Sequence, residues 1–323
     1  MIEKKRMICL DIIRIFACLC VVAVHVALKF DIGGRIGKIM QAGSSGLFVF
    51  YILSGFLIFY SIDSRKLSYW DWLKKRLIRI IPMYYFMIVV YMIFFEIIVD
   101  LFPGEKTVLC WISYFLGLQK VVNYSNSFWI NIGALSSLSV FIWFYIFAPI
   151  IKKVVDSWSK SLILLGISFA LYKIFNEAAW FSILSCLFFF AIGIVVYYSI
   201  ISKKEKYALI VFLVIICLML LADARGGALY GLCIGLLIMC VYDVNIGNEK
   251  IVKTISLASD CTFAIYLGHI FALSISIFTD VFGNLNDMQL AMVLLIVTIA
   301  CVFVLHEIVE KGSVKLVKKV TRE

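Results

Sequence analysis

The chain has 323 residues, of which 64% are hydrophobic and 15% charged, with a net charge of +10. That mix excludes an ordinary soluble domain, which must present a charged surface to water, and makes lipid the expected solvent for most of the chain. Crossing a hydrocarbon core takes about 20 apolar residues at helical rise, and such runs recur from near Met7 to near Val309. The runs are long and lack the alternation of barrel strands, so helices are the spanning form that satisfies every backbone amide in lipid.

In chain order the apolar runs predict spans near 8–29, 43–62, 80–101, 134–151, 160–175, 180–201, 207–222, 227–243, 256–279 and 288–309. The expectation is an all-α integral membrane bundle of about ten transmembrane helices in a single domain over 1–323, with N- and C-termini cytoplasmic and a short cytoplasmic tail over about 311–323. The segment Val108–Leu118, with Trp111, Tyr114 and Phe115, is too short to cross, so it is expected at the interface or as a re-entrant segment. Met1–Arg6 followed by an apolar run resembles a secretory signal, but no small-x-small cleavage site follows, and the run reads as a retained first helix.

Charge orients this layout, because cytoplasmic loops hold the excess of Lys and Arg. With the N-terminus inside, 22 of the 30 Lys and Arg fall in inner segments, seven in outer ones, and Arg14 within the first span. The positives are spread over short loops on one side, so anionic headgroups account for them better than nucleic acid does. Ten cysteines sit mostly singly in apolar spans and read as small buried hydrophobes rather than disulfides or a metal site.

Ionisable residues inside a membrane are costly and are therefore functional candidates. The first span, LDIIRIFACLCVVAVHV, places Arg14 and His25 eleven residues apart, which returns to within roughly 20° of one face and separates them by about 16 Å along the axis. Arg14 is either an anion-binding cation or the partner of Asp11 and lipid headgroups. His25 is either a proton-transfer group or half of an interhelical hydrogen bond. His269, in SDCTFAIYLGHIF, follows Tyr266 by one turn, with Ser259 and Asp260 at the cytoplasmic end of its span. His306, Glu307 and Glu310 close the last span and read as interfacial anchors. In RKLSYWDWLKKRLIRIIPMYY, Arg76 and Arg79 stand one turn apart, a spacing that suits either phosphate oxygens or plain positive-inside charge. Pro82 is expected early in the following helix, where its missing donor matters least.

At these residues the chain resembles the acyltransferase-3 family of bacterial multi-pass acyltransferases, which modify sugars of cell-surface polysaccharides and related acceptors. The likeness runs over nearly the whole length. It is carried by Arg14 and His25; by Gly46, Phe48, Ser54, Gly55 and Phe56 in SSGLFVFYILSGFLI; by Arg76, Arg79 and Pro82; and by Ser259, Ile265, Tyr266, Leu267 and His269. Two departures stand out. Where many members read Trp-Ser-Leu-x-Val-Glu-Glu-Gln-Phe-Tyr, this chain has Ser136 for the Trp and Phe141, Ile142 and Trp143 for the polar triplet, although Tyr145 and Pro149 fit. The closing Ile-Glu-x-Pro retains Glu310 but has Gly312 for the Pro.

The resemblance implies a donor acyl-CoA, usually acetyl-CoA, bound from the cytoplasm as a substrate rather than a tightly held cofactor. It implies an acceptor hydroxyl on a surface polysaccharide or lipid-linked saccharide, and residence in a bacterial cytoplasmic membrane. It assigns no metal. Arg14, Arg76 and Arg79 are then expected to hold donor phosphates, and His25 to take the acceptor proton or carry the acyl group. Ser54, Tyr145, Tyr266 and His269 are expected to bind or orient substrates. Outer-loop polar residues such as Asn123–Asn131 are expected to meet the sugar. A lipid-linked sugar flippase and an inactive membrane scaffold are the competing readings. The visible absence of internal repeats and the presence of only three prolines weigh against the first, and the missing acidic residues are what favour the second.

Overall fold

The computed structural model describes residues 6–65, 68–94, 105–121, 133–175, 182–221, 226–244, 246–275 and 287–315. Within them the chain is helical, with no strand. In order the helices are α1 (Ile8–Lys29), α2 (Gly34–Ala42), α3 (Gly46–Arg65), α4 (Tyr69–Ile93), α5 (Glu105–Leu116), α6 (Gly133–Val154), α7 (Trp158–Phe175), α8 (Ser182–Ile201), α9 (Glu205–Leu221), α10 (Gly227–Val241), α11 (Glu249–Ile275) and α12 (Asp287–Phe303), the last continuing as a π-helix over Val304–Glu310.

Each of the ten predicted spans overlaps a helix, and among the described residues eight helical stretches are long and apolar enough to cross a membrane. The other two, α9 and α10, have 17 and 15 residues, short of the about 20 that a full crossing takes. The short α5 does not cross. It lies on α4 and α6, where Tyr84 donates from its hydroxyl to Tyr114 O at 2.6 Å and Trp143 Nε1 donates to Gly117 O at 2.8 Å. Large apolar side chains such as Phe16, Leu19, Ile163, Leu218 and Ile296 are exposed along the bundle's outside. Such a surface needs lipid as its solvent.

The largest shift of a predicted boundary is at the start of α4. Pro82 was expected near the start of a helix, but α4 begins at Tyr69 and carries Pro82 in its interior. The amphipathic run before the proline is helix-forming, and Ser68 caps it, its Oγ accepting from Asp71 N at 3.2 Å and donating to the Asp71 carboxylate at 2.6 Å. An N-terminal cap of this kind starts the helix in the polar layer, ahead of the apolar run. Arg76 and Arg79 therefore sit on the spanning helix itself.

The core is built on α8, where every residue from Phe188 to Ser199 is buried. It meets α3 backbone to backbone: a Cβ on Gly55 would stand 2.2 Å from Phe190 O, and one on Gly193 would stand 2.0 Å from Ile52 O. Between apolar helices in lipid, small residues that admit this approach supply the packing attraction. Rings close the seam, Phe144 on Phe190 at 3.7 Å and Phe48 on Phe189 at 4.0 Å. Side-chain bonds join the charged helix ends at one end of the bundle: Arg6 to Asp260 at 3.0 Å, Arg79 to Glu310 at 2.8 Å and Lys152 to Asp63 at 2.9 Å. The ten cysteines are all free thiols, and Cys217, Cys233 and Cys240 are exposed rather than buried.

Candidate functional site

The site begins where α1 and α11 lie side by side. Arg14 Nη1 donates to Asp11 Oδ1 at 3.2 Å and to Ser259 Oγ at 3.1 Å, and Ser259 Oγ donates to the same Asp11 oxygen at 2.7 Å. Further along, the Cys18 thiol reaches Thr262 O at 3.4 Å. Further still, the rings of His25 and His269 stand 5.3 Å apart, tilted by 48°. Positions 14, 18 and 25 of one helix thus meet 259, 262 and 269 of the other. The two helices run parallel and in step, so segments some 245 positions apart in sequence form one polar strip.

Asp11 is 5% exposed and is the hub of this end. Its second oxygen accepts from Arg6 Nε at 2.6 Å, and Arg6 also reaches Asp260 and the Ser256 carbonyl, each at 3.0 Å. Burial works against the Arg6 charge, but the bonds to Asp11 and Asp260 outweigh it and hold its pKa above the ordinary guanidinium value. The sequence reading had Asp11 only as one of two roles for Arg14. In the structure it ties three groups together.

A cavity of about 220 Å³ opens beside this end. Arg14 from α1, Ser54 from α3, Arg76 and Arg79 from α4, Tyr145 from α6 and Tyr266 from α11 all line it. Six of the eight residues singled out in sequence therefore share one wall. Asp260 and Glu310 join them, and Phe50, Leu138 and Phe141 form apolar parts of the lining. Phe141 occupies the place of an acidic residue in the family pattern and gives the cavity an aromatic wall there instead. It packs against Tyr51 and Phe190 with ring centroids at 4.8 and 5.9 Å.

His25 and His269 do not line the cavity. They connect to it through Tyr266, whose ring is 5.9 Å from that of His269. His269 is 2% exposed, and its Nδ1 lies 3.1 Å from Ile265 O. A carbonyl only accepts, so Nδ1 carries the hydrogen and Nε2 presents a lone pair. That Nε2 is buried with no hydrogen-bond partner among the described residues, and His25 stands next to it, half-buried. Unpaired polar atoms in a membrane interior are unfavourable, which makes this pair a candidate for chemistry rather than packing.

The last helix differs from its sequence reading. His306 and Glu310 were expected as interfacial anchors with Glu307, but both are 6% exposed and only Glu307 faces outward. Glu310 Oε1 accepts from Arg79 Nε at 2.9 Å and Nη2 at 2.8 Å, and its Oε2 accepts from His306 Nδ1 at 3.0 Å. Both side chains are buried on the π-helix over Val304–Glu310, and such segments are frequent at functional sites. The i, i+4 spacing of His306 and Glu310 amid Leu305 and Val309 was the sequence signal for a buried pair. Asn123–Asn131 lie outside the described residues, and the tail is helical as far as Lys315, beyond which it too lies outside them. Among the described residues no group of three His, Cys, Asp or Glu could hold a metal.

No curated protein and no solved structure matches the chain. The sequence model of the acyltransferase-3 family, described as an acyltransferase domain, matches residues 7–307. With that match over nearly the whole length, on a bundle of apolar helices, the chain belongs to the acyltransferase-3 family and is a multi-pass membrane acyltransferase.

Proposed function

We propose that this acyltransferase moves an acetyl group from acetyl-CoA, entering from the cytoplasm, to a hydroxyl of a cell-surface or lipid-linked saccharide on the other face of a bacterial cytoplasmic membrane. One observation carries the reading: a single cavity is lined by Arg14, Arg76 and Arg79 and reaches, through Tyr266, the His269–His25 pair. Guanidiniums suit the phosphates of the donor, because their forked N–H groups match phosphate oxygens. At about 220 Å³ the cavity is below the roughly 300–1,000 Å³ that encloses a whole drug-sized ligand. The thioester arm therefore enters it, and the nucleotide stays near Arg79, whose side chain is 53% exposed. The excess of Lys and Arg among the segments at this end supports its being the cytoplasmic one.

In the proposed reaction His25 takes the proton of the acceptor hydroxyl as that oxygen attacks the thioester carbonyl. The C–S bond breaks as the new C–O bond forms, and the departing CoA thiolate takes the proton back from the imidazolium. His269, its ring 5.3 Å from that of His25, backs it, its bare Nε2 able to accept an N–H from that ring. Tyr145, Tyr266 and Ser54 orient donor and acceptor through their hydroxyls.

The direct test is a radiolabelled acetyl-CoA assay on membranes carrying wild-type protein, His25→Ala or Arg14→Ala, with product scored as label in saccharide. Loss of transfer in both variants, with normal protein levels, is the expected result. Full transfer by either one overturns its assignment. Saccharide movement across the membrane by wild-type protein without any use of acetyl-CoA would instead favour the flippase.

A further inference from the structure

We infer that Glu310, held by His306, is a positioning residue that fixes the Arg79 guanidinium for the donor's phosphates; this rests on the donor-binding reading of Arg79 proposed above. Three observations on the last helix lead to it. The carboxylate is 6% exposed, yet it lines the cavity beside Arg79 and Arg76. It engages the Nε–Nη2 edge of Arg79 through one oxygen, at 2.9 and 2.8 Å, while the other oxygen is anchored by the buried His306 ring at 3.0 Å. And it is presented by a seven-residue π-helix, Val304–Glu310, a rare local geometry that is frequent at functional sites.

The chemistry follows from the guanidinium's shape. Of its five N–H donors, held in a rigid plane, Glu310 takes one from Nε and one from Nη2. The Nη1 end remains, and Arg79 has no other partner among the described residues. A free arginine side chain loses about 2 kcal/mol of rotamer entropy when a ligand orders it. With one edge already clamped, less is lost on binding a phosphate at the other end. The cost is a negative charge near an anionic donor. Glu310 therefore trades raw attraction for orientation, and its removal acts on donor binding rather than on the transfer step.

The experiment compares acetyl-CoA with acetyl-pantetheine, which carries the same thioester but no phosphate, using purified full-length protein. Glu310→Gln is expected to raise KM for acetyl-CoA about tenfold, or about 1.4 kcal/mol, leave KM for acetyl-pantetheine unchanged, and leave kcat within about twofold. Arg79→Ala is expected to do the same, and adding Glu310→Gln to Arg79→Ala to cost nothing more. Glu310→Asp, which keeps the charge, checks the first variant if it folds poorly and is expected to give an intermediate KM.

An unchanged or lowered KM for acetyl-CoA in Glu310→Gln overturns the inference, as does an equal rise for both donors or an additive double variant. If Arg79→Ala itself leaves KM for acetyl-CoA unchanged, the donor reading of Arg79 fails first. Should the wild type turn over neither donor, binding of adenosine 3′,5′-bisphosphate is measured by calorimetry. Weaker binding in both single variants supports the inference, and no binding to wild type overturns it together with the reading beneath it.

Discussion

Two helix contacts in this molecule have opposite character. Where α3 meets α8, glycines bring backbones together and the side chains around them are apolar or aromatic. Where α1 meets α11, the contact is made by Arg14, Asp11 and Ser259, then Cys18 and Thr262, then His25 and His269. Lipid provides no hydrophobic force between helices, so close van der Waals packing is what holds such a bundle. The α3–α8 seam supplies it. A polar strip inside a membrane is unfavourable to assemble, and it persists because the rest of the bundle is held elsewhere. The comparison separates what keeps the fold from what the fold keeps in place.

The largest effect that would break this division is expected at the deep end of the strip. His25→Ala should lower kcat about 10³-fold, within the usual range for losing a general base and equal to about 4 kcal/mol of barrier, while the unfolding midpoint in detergent stays near wild type. A marked fall in that midpoint would mean that the histidine pair is structural after all. Next in size, Gly193→Leu puts a side chain into the Ile52 carbonyl, where a Cβ would already stand at 2.0 Å. Overpacking of this kind is expected to cost about 3 kcal/mol, seen as lost monodisperse protein on size exclusion together with all activity. A variant with normal stability would show that the seam is not the scaffold.

How much of this was legible in sequence also divides along the comparison. The helices were, because runs of apolar residues have only one solution in lipid. Arg14, Ser54, Arg76, Arg79, Tyr145 and Tyr266, which line one cavity, were picked out by their residue types and by likeness to a family pattern, though nothing local placed them together. The strip's pairing was hidden, since the meeting of Ser259 with Arg14 and of His269 with His25 depends on α1 and α11 being parallel neighbours. The start of α4 was missed because a proline was taken as a helix-start signal when Ser68 and Asp71 were the true cap. Burial of His306 and Glu310 was missed because charges at a span's end ordinarily face headgroups, and the π-helix that carries them leaves no mark that composition shows.

Third in size is Asp11→Asn. The amide keeps one oxygen for Arg14 and Ser259 but turns N–H groups toward Arg6 Nε, now 2.6 Å from a carboxylate oxygen. Losing one member of a fully buried ion pair costs 3–5 kcal/mol, and because Arg6 is partly exposed the expected figure here is smaller, about 2 kcal/mol. The unfolding midpoint should fall and KM for acetyl-CoA should rise in the same variant. A change in only one of the two would show that Asp11 serves the fold or the site but not both.

The smallest effect is expected at Ser61, which belongs to the packed half yet touches the helix that carries the arginines. Its Oγ accepts from Trp72 Nε1 at 2.9 Å and donates to Ile58 O at 2.9 Å. Ser61→Ala leaves a buried indole N–H without its acceptor, which costs about 1 kcal/mol, readable as a small drop in the unfolding midpoint. Trp72 precedes Arg76 by one turn of α4, so the indole is the point where the apolar core could act on the cavity wall. If the two halves are energetically separate, KM for acetyl-CoA and kcat stay at wild-type values in this variant. A shift in KM with kcat unchanged would locate the coupling at Trp72 and make α4 the link between scaffold and site.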